Sequence, residues 1–172
     1  MASLPEAPLS IIGLEDAYRY CSQLAKSHYE NFTLGSWFLP RRLRPHLFAI
    51  YAFCRHTDDL GDESTGNRLE LLEDWECELF RCYEQKATHP IMVALQHTIK
   101  QFTIQPLPFL KLIEANRMDQ STNSYQTYQD LLYYCEHSAN PVGHLVLSIL
   151  GQDSPDSLNL SDSTCTALQL TN

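Results

Sequence analysis

The chain has 172 residues, 44% of them apolar, and a formal net charge of −9, which is enough for one domain with a core of its own. The acidic balance excludes a general nucleic-acid binder, because phosphate backbones are held by basic surfaces. It leaves room for a diphosphate ligand, since bound cations turn an acidic stripe into an anion receptor.

The pattern is helical throughout, with apolar residues recurring at three and four and with Pro, Gly, Asn and Ser at the breaks. Leu14, Ala17, Tyr18, Cys21, Leu24 and Ala25 predict a first helix. A basic cluster, Arg41, Arg42 and Arg44, reads as a solvated turn before a second helix that starts near Pro45, where proline suits a first turn, and ends at Ser64, Thr65 and Gly66. Leu69, Leu72, Trp75, Leu79 and Tyr83 predict a third helix, and Ile91, Leu95, Ile99 and Phe102 a fourth. Pro106 and Pro108 introduce a fifth, through Leu112 and Ile113 to Arg117 and Asp119, which read equally as part of a cavity wall or as an ion pair and are not assigned to a metal. Thr127 with Asp130 resembles a capping box for a sixth helix. Asn140 and Pro141 read as cap and first position of a seventh, ending at Gly151, and the Ser154-Pro155-Asp156 loop precedes the last. The expected architecture is one all-α bundle over residues 1–172, without repeats or a domain boundary.

The six cysteines show no Cys-x-x-Cys spacing and sit mostly at apolar helix positions, so they read as reduced core residues. Neither they nor the seven histidines suggest a zinc site. No run approaches the roughly 20 apolar residues that span a bilayer, and the start Met1-Ala2-Ser3-Leu4-Pro5-Glu6 lacks the basic and apolar blocks of a secretory signal. A cytoplasmic protein is expected.

Chemistry concentrates in the second helix. Tyr51-Ala52-Phe53-Cys54-Arg55 runs into Asp58-Asp59 and Asp62-Glu63, four carboxylates beside one arginine. Acidic groups at i and i+4 raise each other's energy, so the cluster is either fully solvated or holds cations. At about 100° per residue, Tyr51, Arg55, Asp58 and Asp62 fall within about 60° of one another. Asp58 and Asp62 then stand one turn apart as hard oxygen donors suited to Mg²⁺, which keeps waters and bridges to phosphates. Arg55 would face the same phosphate with its planar guanidinium. A wet patch at a helix end is the alternative. The apolar stretch Leu47, Phe48, Ile50 and Phe53 before the run, and Gly61 within it, favour a site. Trp37, Phe38, Phe48 and Phe53 read as core, although a chamber that shields a carbocation also needs aromatic walls.

The same run resembles the first aspartate-rich motif of the squalene and phytoene synthase family. Leu39-Pro40 falls on the family's Leu-Pro, and His28 and Phe32 fall on its His-Ser-x-Ser-Phe segment, with Tyr29 and Asn31 in place of the serines. Tyr133-Tyr134-Cys135 and Ser138-Ala139-Asn140-Pro141-Val142-Gly143 resemble its Tyr-Cys-x-x-x-Ala-Gly-x-Val-Gly, with Asn140 replacing the first glycine. Glu30-Asn31-Phe32, Leu39 to His46 and Ser138 to Gly143 look most like the bacterial hopanoid-pathway branch, the hydroxysqualene synthases. Gln169-Leu170-Thr171-Asn172 matches the opening, Gln-x-x-Asn, of a second aspartate-rich motif whose later aspartate is not in this sequence.

The resemblance implies an isoprenoid-synthase-type helical bundle cut before its second acidic motif, and little or no turnover from this length of chain alone. It implies Mg²⁺ on Asp58 and Asp62, diphosphate contacts from His28, Arg55, Gln169 and Asn172, and catalytic tyrosines Tyr51 and Tyr134, the latter aligned with a substrate-site tyrosine. The implied substrate is a prenyl diphosphate, the implied reaction in the hopanoid branch is rearrangement of presqualene diphosphate with water capture to hydroxysqualene, and the rival is condensation of two farnesyl or geranylgeranyl diphosphates. A non-catalytic helical interaction protein is the reading from another class. No protein partner is implied beyond peripheral contact with a membrane, to exchange apolar substrate and product.

Overall fold

The computed structural model describes residues 12–27, 39–122 and 124–171. Among them the chain forms eight helices and no strand: α1 (Leu14–Ser27), α2 (Arg44–Asp62), α3 (Arg68–Tyr83), α4 (Pro90–Phe102), α5 (Leu107–Asp119), α6 (Tyr128–Ser138), α7 (Asn140–Leu150) and α8 (Pro155–Thr171). The all-α expectation therefore holds, and the eight helices fall where periodicity and breakers put them. His28, Trp37, Phe38 and Asn172 lie outside the described residues.

The helix starts follow from local chemistry. Pro45 and Pro90 occupy first turns, where the missing N–H has no intrahelical acceptor to lose. Asn67 Oδ1 accepts from the Glu70 amide at the start of α3. The Thr127 and Asp130 side chains complete a reciprocal capping box at α6, with bonds of 3.1 and 3.0 Å. α4 and α7 end on left-handed residues, Thr103 (φ 53°) and Gly151 (φ 65°). One cap differs from the sequence reading: Asn140 is the first residue of α7 and Ala139 holds the cap position. The Asn140 carboxamide oxygen instead accepts from Thr166 Oγ1 on α8 at 3.1 Å, because a tertiary donor outcompetes a local one.

α2 is the hub. It packs against α1, α3, α4, α5 and α7, and Ala49, Ile50, Ala52, Phe53 and Thr57 on it are fully buried. Ala17, Cys21 and Ala25, four apart and buried, let α1 lie close on α2 and α4. Phe53 stacks on Trp75 at 5.7 Å and meets Phe109 edge-on at 5.1 Å, joining α2, α3 and α5. Burying each such ring contributes roughly 1.5–3 kcal/mol. Trp75 Nε1 donates to Thr57 Oγ1 at 3.0 Å, and Thr57 Oγ1 donates to the Phe53 carbonyl, so the stack carries no orphaned polar group. Leu69, predicted apolar stripe of α3, is 51% exposed. All six cysteines are free thiols; Cys21, Cys82 and Cys135 are buried, whereas Cys77 is exposed. Among the described residues no helix is long and apolar enough to cross a membrane.

Two histidine clusters are built into the packing. Tyr18 Oη lies 2.9 Å from both His46 Nδ1 and His97 Nδ1. His56 and His89 flank Trp75, their ring centroids 4.5 and 5.0 Å from its ring. Burial lowers the pKa of His46 and His56 from 6.5 and that of His89 to about 4. The unfolded chain therefore takes up these protons first, and stability falls as pH drops from about 6.5 toward about 4. Melting temperature is expected to be lower at pH 5.0 than at pH 7.0, and His89→Phe, which removes one such proton acceptor, should narrow that gap; equal gaps in variant and wild type would count against it.

Candidate active site

α2, α5, α6 and α8 converge on one cavity of about 250 Å³, lined by Asp58, Asp62, Leu112, Ala115, Asn116, Asp119, Tyr134, Ser138 and Gln169. Asp58 and Asp62 are one turn apart on α2, so their side chains share a face. α5 lays Leu112, Ala115, Asn116 and Asp119 against them, at helical spacing on its own inner face.

α2 and α5 approach closely at Gly61. A Cβ there would overlap Asn116 Oδ1, so only glycine fits without moving that side chain. Gln120 Nε2 bridges the two helices, donating to the carbonyls of Gly61 at 3.0 Å and Asn116 at 2.9 Å. Asn116, 7% exposed, donates from Nδ2 to Asp58 Oδ1 at 3.1 Å. Tyr134 Oη donates to Asp119 Oδ2 at 2.9 Å, and the Tyr125 ring sits 5.1 Å from the Tyr134 ring. Ser138 Oγ is buried at the cavity wall without a hydrogen-bond partner among the described residues.

The electrostatics follow from this crowding. Although the Asp58 side chain is open to the cavity, the packed helices around it displace much of its water. Its pKa is pushed up to about 6, first by that desolvation and further by Asp62 and Asp59, while Asn116 and Arg55 pull it down. Asp119 is raised in the same way, by desolvation and then by Asp62, against the Tyr134 hydrogen bond. The Tyr134 phenol is pushed above its ordinary range by burial and by the neighbouring Asp119. These carboxylates raise one another's energy, and a cation among them would relieve it.

The donors are hard oxygens, which suits Mg²⁺ in kind. Among the described residues no three His, Cys, Asp or Glu side chains are grouped closely enough to enclose a metal. Asp58 and Asp62 could thus supply one or two ligands, leaving the rest to water and a bound phosphate, the habit of Mg²⁺ sites.

The acidic run is divided between two tasks. Asp58 and Asp62 line the cavity, whereas Asp59 and Glu63 take Arg55, whose Nη2 lies 2.6 Å from Asp59 Oδ1 and 2.9 Å from Glu63 Oε1. Arg55 is not among the lining residues, yet its charge reaches Asp58. Tyr51 is 7% exposed, within the α2 core side, and does not line the cavity. Tyr134 and Gln169 do line it, brought from α6 and α8. Of the remaining cavity residues, the sequence left Asp119 between a cavity wall and an ion pair, named Ser138 only within a motif, and did not single out Asn116. The signal for Asp119 was its spacing of three and seven from Asn116 and Leu112, one helical stripe. Arg117 points elsewhere, pairing with Glu76 at 2.6 Å and Glu114 at 3.5 Å.

The all-α bundle thus brings carboxylates from two helices to a shared cavity that a tyrosine of α6 and a glutamine of α8 also line. The family model for squalene/phytoene synthase matches residues 25–172, and the chain belongs to that family. The crystal structure of squalene synthase HpnC from Alicyclobacillus acidocaldarius superposes with a TM-score of 0.88 at 48% identity, over 94% of this chain and 62% of that one. A dehydrosqualene synthase in complex with ligand gives a TM-score of 0.83 at 28% identity, over 92% and 56%. The phytoene synthase of Arthrospira platensis is 35% identical over 82% of this chain and 46% of its own length. The chain spans about half the length of the curated relatives it matches.

Raising the Asp58 pKa has a stability consequence of definite sign. The folded carboxyl holds its proton more tightly than the unfolded one, so ionised Asp58 costs stability above pH 6, and the cost disappears as pH falls below about 4. Asp58→Asn, which keeps an acceptor for Asn116, is expected to raise the melting temperature slightly at pH 7.5, the gain in stability staying below about 1 kcal/mol because water in the cavity screens the charge. A lower melting temperature would show that the ionised carboxylate is stabilising where it stands.

Proposed function

We infer that the protein acts in isoprenoid biosynthesis, ionising an allylic or cyclopropylcarbinyl diphosphate. Support comes from Asp58, Asp62 and Asp119 facing one cavity, a placement that would waste stability unless it served a cation and its anion. When bound, Mg²⁺ would supply the positive charge that takes up the departing diphosphate. Asp58 and Asp62 would hold it. Gln169 would offer its amide to diphosphate oxygens from the α8 side, with His28 and Asn172 completing those contacts. Arg55, kept in place by Asp59 and Glu63, would act as a fixed positive charge beside Asp58. Tyr134, its proton directed at Asp119 Oδ2, would stand at the cavity wall as a neutral phenol, a dipole that does not capture the carbocation.

Within that chemistry we propose rearrangement of presqualene diphosphate with water capture to hydroxysqualene, in hopanoid or squalene synthesis. Support for this branch comes from the likeness of Leu39 to His46 and of Ser138 to Gly143 to the hopanoid-pathway enzymes, while the 48% identity to a squalene synthase, against 35% to the Arthrospira phytoene synthase, supports the squalene side of the family. The second reading is condensation of two farnesyl or geranylgeranyl diphosphates to squalene or phytoene. It is favoured by the names of the relatives, squalene and phytoene synthases, and shares the ionisation step. Exchange of such apolar molecules would bring the protein from the cytoplasm to a membrane surface.

Incubating the protein, in the longest form its gene encodes, with Mg²⁺ and presqualene diphosphate should give hydroxysqualene among the extracted lipids. Squalene or phytoene from the C15 or C20 diphosphates would instead establish the second reading. Absence of diphosphate release from every substrate would leave the family scaffold as a non-catalytic interaction protein. Asp58→Asn should abolish Mg²⁺-dependent turnover while the fold persists by circular dichroism; unchanged turnover would remove Asp58 from the site.

A further inference from the structure

We propose that Asn116 is a positioning residue for metal binding: it engages one oxygen of Asp58 and so presents the other to the cavity, resting on the metal-assisted reading above. Asn116 is almost wholly buried and places both donors of its amide, one on Asp58 Oδ1 at 3.1 Å and one on the Leu112 carbonyl at 3.2 Å. The second bond anchors the amide to its own helix, which fixes the direction of the first. A carboxylate with one oxygen so engaged keeps Oδ2 for a ligand, and its rotation about χ2 is restricted.

The surroundings hold Asn116 in that pose. Gly61 leaves the space its carboxamide fills, since any Cβ at that position would collide with Oδ1. Gln120 Nε2 clamps the same junction through the carbonyls of Gly61 and Asn116. Three side-chain choices, Gly61, Asn116 and Gln120, therefore meet at one contact between α2 and α5, and only Asn116 touches a candidate ligand. Groups that orient a metal's ligands typically account for about 10 to 100-fold in metal affinity.

The test is Mn²⁺ binding in the presence of inorganic pyrophosphate, followed by electron paramagnetic resonance, with melting temperature recorded for each variant. Asn116→Leu is expected to weaken Mn²⁺ binding about 10-fold or more while the protein stays folded. Gly61→Ala, which adds no charge and touches no ligand, should weaken it in the same direction by displacing the Asn116 amide, and it decides the matter if Asn116→Leu does not fold. Gln120→Leu loosens the helix junction but leaves the Asn116 to Asp58 bond, so its melting temperature should fall while its Mn²⁺ affinity stays near that of the wild type. Wild-type affinity in folded Asn116→Leu, or loss in Gln120→Leu as large as in Gly61→Ala, would overturn the positioning role while leaving the metal reading intact. Failure of the wild-type protein itself to bind Mn²⁺ with pyrophosphate would overturn the metal reading, and the role of Asn116 with it.

Discussion

Like charges held together by hydrophobic packing are the constraint from which the rest of this structure follows. Asp58 and Asp62 on α2 and Asp119 on α5 face one small cavity, and both Asp58 and Asp119 hold their protons more tightly than free carboxyls do. Left to electrostatics alone, the two helices would separate. They are kept together a little deeper in the bundle, where Phe53, Trp75 and Phe109 form a continuous aromatic contact between α2, α3 and α5. The free energy of burying those rings, a few kcal/mol each, exceeds the penalty of bringing partly hydrated carboxylates together.

How the repulsion is contained depends on dividing the acidic run. Arg55 sits between Asp59 and Glu63, which removes two of the four carboxylates from the problem and leaves Asp58 and Asp62 to the cavity. The arginine then acts on Asp58 through its field rather than by contact. Helical projection put Arg55 in the same stripe as Asp58, but the same i, i+4 rule also links Arg55 to Asp59, and the guanidinium goes to Asp59 and Glu63 while Asn116 engages Asp58. The information needed was local and present in the sequence.

Most of the fold was legible for the same reason. Breaks at Pro, Gly and Asn, the Thr127 and Asp130 capping box and the three-four spacing of apolar residues are local signals, and eight helices appear where those signals lie. Of the site, Asp58 and Asp62 were legible because one turn of α2 sets their relation. Tyr134 and Gln169 came from family resemblance, and the cavity now places both of them on its wall. Asn116 was not singled out, Asp119 was left undecided between a cavity wall and an ion pair, and Ser138 carried no role of its own, because their importance arises from which helix packs on which, and nothing in the local sequence of α5 or α6 names α2 as its neighbour. Asn140 shows the converse error: its local sequence reads as a cap, yet a donor from α8 claims its side chain.

Close helix approach recurs at the second boundary of the site. Gly143 on α7 lies so near α8 that a Cβ would overlap Ser161 Oγ and crowd Cys165 Sγ. His144 Nε2 and Asp162 Oδ1, 2.6 Å apart, and the bond from Thr166 to Asn140 lie on either side of that point. Together they fix α8 against α7 in both rotation and height, although α8 buries none of its residues fully. Gln169 lies one turn beyond Thr166, so its position at the cavity is set by polar links and a glycine rather than by a hydrophobic face. Each wall thus combines a glycine, which lets two helices meet, with a polar side chain that fixes their register: Gly61 with Asn116 for the carboxylates, Gly143 with Ser161 for the glutamine. A site assembled from separate helices gains its geometry at these two contacts, because side chains on one rigid helix keep their relation wherever the helix is pinned.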